Sequence, residues 1–131
     1  MSSSSSQLKP VGLIDGKLRP CPDSPNCACS QNADQQHLIE PFQFNGSRSE
    51  AWSRLKQALL TQKRVTIITD SSNYLHLEFR SVILRFVDDV EFLLAENVIH
   101  VRSASRVGYS DLGVNRRRLE TIRRAFNQLN L

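Results

Sequence analysis

The chain has 131 residues, 40% of them hydrophobic and 23% charged, with a net charge of +4 and a pI near 9.3. That size and balance suit one soluble globular domain with one core. No apolar run approaches the ~20 residues needed to span a bilayer, and the basic excess is mostly Arg rather than the Lys/Arg stripe interleaved with aromatics of a nucleic-acid binder, which argues against nucleic acid as a partner.

Residues 1–37 show no sustained periodicity and are expected to form an extended or partly disordered N-terminal arm. Ser2 to Ser6 is a low-complexity run, and MSSSSSQLKP has neither the basic start nor the apolar stretch of a secretory signal. The expected location is therefore cytoplasmic, with the periplasm or a plastid lumen as the alternative if a targeting segment is missing from this form of the chain. Leu8, Val11, Leu13, Ile14 and Leu18 are spaced irregularly around Gly12 and Gly16, which suits an arm laid over the domain rather than a helix. Pro20, Pro22 and Pro25 then enforce turns.

The Cys/Pro loop CPDSPNCACS carries all the cysteines, Cys21, Cys27 and Cys29. The Cys21–Cys27 spacing is compatible with a disulfide in an oxidising compartment and with free thiols in a reducing one. Together with His37 the three Cys match no usual zinc spacing, so no metal is expected. A Cys nucleophile would need a general base nearby. His76 and His100 fall on a different surface, so no catalytic residue is assigned.

Residues 38–131 are expected to form a single α+β domain. His37 to Phe44 is a short strand candidate that Pro41 confines to an edge. Asn45-Gly46 signals a turn, and Ser47 to Glu50 has capping-box spacing, opening a helix to about Gln62 with Ala51, Trp52, Leu55, Ala58 and Leu59 as its apolar stripe. Val65 to Thr69 is β-branched. Tyr74 to Arg80 alternates, with Leu75, Leu77 and Phe79 on one face and Tyr74, His76, Glu78 and Arg80 on the other. Phe86 to Leu94 and Val98 to Arg106 are two further strands, Val107 to Gly113 is a polar loop, and Val114 to about Gln128 is a second helix, with Leu119, Ile122, Phe126 and Leu129 apolar. The order β-α-β-β-β-β-α gives an antiparallel sheet of four to five strands with two helices on one face. The other face is expected to be polar and open to solvent.

The densest stretch, Leu84 to Arg118, can be read in register. A two-residue turn at Glu96-Asn97 pairs Leu94 with Ile99, Phe92 with Val101, Val90 with Ser103 and Asp88 with Ser105, and keeps each face consistent. It sets Glu91 opposite Arg102 on the outer face, a surface pair worth about 0.2–1 kcal/mol. The inner face turns polar at Asp88, Ser103 and Ser105, where a carboxylate needs a partner. The run Arg116-Arg117-Arg118 opens a helix against its dipole and needs anionic compensation. Asp88, Asp89 and Asp111 can supply it as an internal network, or a bound anion can supply it at the helix N-terminus.

Four motifs, PCPDSPNC, YLHLEFRS, LRFVDDVEF and VRSASRVGYSDLGVNRRRLE, together resemble the domain of unknown function family 1499, over about Leu18 to Phe126. The resemblance implies no established biochemical activity. It implies relatives in bacteria and photosynthetic organisms, some with export or plastid-targeting segments, and it matches Cys21 and Cys27 to the family's paired cysteines, with Cys29 as an extra.

The function these residues support is a non-enzymatic binding or accessory module without a cofactor. Its rim of Asp88, Ser103, Ser105, Arg106, Tyr109, Asp111, Asn115, Arg116, Arg117 and Arg118 would hold a small anionic ligand. One alternative is an enzyme on a small anionic metabolite with Asp88 as general base, which requires Asp88 to line a closed pocket. Another is a protein-interaction module using the open sheet face.

Overall fold

A computed structural model describes residues 11–31, 33–81, 86–106 and 113–129. Strands β1 (Leu13–Ile14) and β2 (Lys17–Leu18) form a small antiparallel ribbon. The main sheet contains β3 (Cys27–Cys29), β4 (Phe42–Gln43), β5 (Val65–Asp70), β6 (Tyr74–Arg80), β7 (Val87–Leu94) and β8 (Val98–Ser105). Its helices are α1 (Arg48–Leu60) and α2 (Val114–Gln128). The result is an α+β fold with a six-stranded antiparallel sheet, one or two strands more than the sequence suggested.

The order across the sheet is β3-β8-β7-β6-β5, with β4 also paired to β8. The last four strands form the expected meander. The strand not expected is β3, from a segment too short and too Pro- and Cys-rich to read as one, whereas β4 falls within the His37 to Phe44 candidate; the two lie end to end along β8, Cys27–Cys29 beside Arg102–Ala104 and Phe42–Gln43 beside Val98–Ile99. The β7–β8 register is the one the face logic demanded, with Leu94 opposite Ile99 and Asp88 opposite Ser105.

Both helices cover the same sheet face. Ser47 Oγ accepts from the Glu50 amide at 3.0 Å and starts α1, which buries Ala51, Trp52, Leu55, Ala58 and Leu59. Helix α2 buries Leu119, Ile122 and Phe126, while Leu129, expected on the apolar side, lies past the helix end and is exposed. Leu75, Leu77, Phe79, Val90, Phe92, Ile99 and Val101 meet them from the strands. The Phe42 ring sits 5.8 Å from Phe92 and 5.7 Å from Phe126, so the short edge strand is tied into the centre of the core.

The opposite face is not open. The arm runs across it: the Gly12 amide donates to Glu91 Oε2 at 2.7 Å, Arg102 donates to the Pro20 carbonyl at 3.3 Å, and Leu18 is buried. His76, Glu78, Asp89, Glu91 and Arg102 are all buried there. This overturns the solvent-exposed reading of Tyr74, His76 and Glu78, and of Glu91–Arg102 as a surface pair; only Arg80 is exposed. An alternating strand with charges on one side looks the same in sequence whether those charges meet water or each other.

Candidate functional site

The polar rim at the end of the inner face is assembled by β8, β7 and the first turns of α2. Asn115, buried on α2, accepts from Ser103 Oγ and donates from Nδ2 to Ser105 Oγ and to the Asn26 carbonyl, each at 3.0 Å. Arg118 donates to Asp88 Oδ2 and lies with its guanidinium 5.0 Å from the centre of the Phe79 ring. Asp88 is thus held by Arg118.

The predicted rim does not stay together. Arg106 follows Ser105 in β8 and therefore turns to the other face, where Nε meets Asp89 Oδ2 at 2.9 Å and Nη2 reaches both Asp89 and Glu78. Arg116 donates to the Leu38 carbonyl at 2.7 Å and the Gln36 carbonyl at 3.2 Å, tying down the chain that leads into β4. Tyr109 and Asp111 lie outside the described residues. Of the named rim, Asp88, Ser103, Ser105, Asn115 and Arg118 form one network.

On the arm-covered face lies a chain of ionisable groups that the face assignment missed. His76 Nε2 contacts Asp89 Oδ1 at 2.7 Å, and Arg106 links Asp89 to Glu78. Burial pushes the Asp89 carboxyl up, but hydrogen bonds from His76 and Arg106 outweigh it and hold the group down at about 2. Its hydrogen bonds to Asp89, and then to Glu78, raise Arg106 against the opposing effect of burial, so the pair stays charged. Further along, Glu91 accepts from Tyr74 and Arg102 as well as from Gly12. Burial first, then the Glu91 carboxylate, raises the Tyr74 phenol well above its usual range.

The Cys loop closes this layer. Cys21 and Cys27 are joined by a disulfide, and Cys29 is a free, buried thiol whose pKa is raised by burial. His37, predicted only as a weak zinc candidate, is a clamp instead: Nε2 faces the Ser24 carbonyl and Nδ1 faces Asp34, each at 2.6 Å. Two acceptors facing both ring nitrogens favour the imidazolium, and the Ser24 carbonyl contributes most to its raised pKa. Among the described residues no His, Cys, Asp and Glu side chains group as a metal site.

The cation-lined cleft lies elsewhere, where the end of α1, the end of β6 and the start of α2 converge. Its volume is about 570 Å³, and it is lined by Thr61, Gln62, Lys63, Arg64, Phe79, Arg80, Val114, Arg117, Arg118 and Thr121. The helix contributes every residue at i, i+3, i+4 and i+7 spacing, one continuous face. Of the ten described residues that line it, five are cationic and none is acidic. Gly113 enters α2 at φ 86°, a left-handed conformation that favours glycine, and a Cβ there would stand 3.3 Å from Arg117 Nη1. As a glycine it offers no side-chain cap, and no acidic residue sits in the first turn, so the positive end of the helix adds to the side-chain charge. Arg117 and Arg118 were found by sequence; Lys63, Arg64 and Arg80 were not. Only the helix spacing of the two arginines was visible, because the turn after α1 reaches them through the fold.

No helix of the described residues is long and apolar enough to cross a membrane. The family described as protein of unknown function (DUF1499) matches residues 17–126, from the start of β2 to the last turn of α2, and the chain belongs to that family. No curated protein matches it.

Proposed function

We propose that this member of the family is a non-enzymatic binding module that holds an anionic group, a phosphate or carboxylate, in the cleft between α1 and α2. The observation that carries the reading is the cleft's charge: Lys63, Arg64, Arg80, Arg117 and Arg118 converge, with no carboxylate among the described residues that line it. Arg118 pairs with Asp88 and Arg80 with Glu78, and these contacts fix the direction of their guanidiniums. Arg forks suit bidentate phosphate or carboxylate contacts, and Thr61, Thr121 and Gln62 supply neutral hydrogen-bonding groups. Phe79 and Val114 give the cleft an apolar floor, so a ligand with an organic portion beside its charge fits better than a bare ion. The rim of Ser103, Ser105 and Asn115 supports the site by fixing the start of α2. The Cys21–Cys27 bond favours an oxidising compartment over the cytoplasm as the place of work.

The test is a thermal-shift and calorimetric titration with inorganic phosphate, pyrophosphate and citrate. A ligand at ~100 times its Kd adds about 2.7 kcal/mol of stability. The response should disappear in Lys63→Ala/Arg117→Ala, two exposed positions whose loss leaves the core intact. No response in the wild type, or one that survives this double change, refutes the assignment.

A further inference from the structure

Leu60 is the most exposed large apolar side chain of the described residues, at 73%, and Ile67 and Ile68 on β5 are 40% and 47% exposed. Helix α1 returns into β5 through a short turn, so the two run antiparallel. Lys56 on α1 meets Asp70 on β5 at 2.9 Å. Leu60 lies one helical turn beyond Lys56 on the same face, and Ile67 and Ile68 lie three and two residues before Asp70, so the antiparallel course carries Leu60 toward their end of the strand. The strip ends at Lys63 and Arg64, which are exposed and open the cationic cleft. Asp70, the acidic residue at the end of the same strand, is paired with Lys56.

An apolar strip bordered by cations matches the chemistry of an anionic bilayer surface: side chains enter the acyl boundary while Lys and Arg meet the headgroups. We propose that this edge docks on an anionic lipid surface, with Leu60, Ile67 and Ile68 in the headgroup–acyl boundary and a lipid phosphate in the cleft. The proposal rests on the anion-binding reading of the cleft and names the source of the anion. A second copy of the chain is the competing occupant, because β5 is an edge strand. The β-bulge between Ile67 and Thr69 breaks the regular ladder needed for strand-to-strand pairing while turning an extra isoleucine outward. That geometry favours a lipid surface over a partner strand.

The experiment is vesicle flotation with phosphatidylcholine alone and with phosphatidylcholine mixed with phosphatidylglycerol, alongside the pyrophosphate thermal shift. Wild type is expected to float only with the mixed vesicles. Leu60→Gln/Ile68→Gln, folded by circular dichroism, should bind them roughly tenfold more weakly or worse, since apolar burial sets the strength of interfacial binding, and should keep the pyrophosphate response. Lys63→Ala/Arg64→Ala should lose both. A pyrophosphate response without flotation, or flotation unchanged by the apolar substitutions, overturns the lipid assignment and leaves the cleft reading intact. A concentration-dependent dimer in sedimentation that Leu60→Gln/Ile68→Gln dissociates, with no flotation, also overturns it in favour of a second copy. Flotation indifferent to phosphatidylglycerol, with no pyrophosphate response, sinks both.

Discussion

Glu91 and Arg102 offer the sharpest test of the arm-covered sheet face. Glu91 is 0% and Arg102 1% exposed, and they lie directly opposite on β7 and β8 with Nη1 3.4 Å from Oε1. The carboxylate also accepts from the Gly12 amide and the Tyr74 hydroxyl. Arg102 has the Pro20 carbonyl as its other partner, and its buried Nε has no hydrogen-bond acceptor. Glu91→Leu therefore strands a guanidinium in a buried site and cuts the arm's anchor at Gly12. A broken buried pair costs about 3–5 kcal/mol, against ~0–1 kcal/mol for an exposed one. Arg102→Met strands the carboxylate in turn, though Gly12 and Tyr74 still donate to it, so its cost should fall at the lower end. Replacing both removes both buried charges, and apolar side chains of similar volume recover much of the loss. The double variant should be at least ~2 kcal/mol more stable than the two single effects predict, a coupling of the size expected for residues in contact. Urea denaturation of the wild type, both singles and the double gives the cycle, and hydrogen exchange at Gly12 reports whether the arm has lifted. Single effects below about 1 kcal/mol, or strict additivity, would refute the buried pair and with it the covered face.

Acid should act through Asp89. Its folded pKa is held at about 2, below the ordinary 3.8, so its contribution is present above 3.8 and is lost as pH falls through about 2. The shift corresponds to roughly 2 kcal/mol. Asp89→Asn should be less stable near neutral pH and should lose less stability on acidification through that window; overlapping acid-unfolding curves for variant and wild type would contradict the His76–Asp89–Arg106 network. Reduction should act through the arm: the Cys21–Cys27 bond spans a sequence separation of 6, and opening so short a loop costs about 2 kcal/mol on loop-closure grounds. Thiol titration should find Cys29 unreactive in the native oxidised protein and reactive once denatured, and an unchanged melting temperature after reduction would show that the bond does not secure the arm.

Strand register was legible because one rule decides it. Shifting β7 against β8 by one residue would put Phe92 opposite His100, so the hydrophobic face alone selects Leu94 with Ile99. Alternation had also settled Arg106: Ser105 faces the helices, so the next residue faces away, and grouping Arg106 with Asp88 ignored that parity. The covering of the outer face was not legible. Val11 to Leu18 has no period to mark it as packed, and the charges beneath it pair across three strands, through contacts such as Glu78 with Arg106 that no local window contains. Compensation within the arm-side cluster makes a buried face look like a solvated one, since Glu78, Asp89 and Glu91 are balanced by Arg80, Arg102 and Arg106. The cleft was half legible for a similar reason: the spacing of Arg117 and Arg118 is local, whereas Lys63 and Arg64 reach it only after the chain has crossed the sheet.

The three arginines at the start of α2 tie these observations together. Each cation there works against the helix dipole, at ~0.3–1 kcal/mol when exposed. Arg118 offsets that cost by pairing with Asp88 and packing over Phe79, and Arg116 offsets it by bonding the carbonyls of Gln36 and Leu38. Arg117, the exposed member of the three, is engaged as well, and it lines the cleft beside Lys63 and Arg64 on the turn after α1. A sequence selected for stability alone would place a carboxylate at this helix start, as α1 does with Glu50. Helix α2 instead opens on a glycine and concentrates positive charge where the two helices approach. The local rule is broken at one end of one helix, beside a cleft whose described lining is cationic and holds no carboxylate, and that coincidence is the physical reason to look for the anion there rather than in the balanced network beneath the arm.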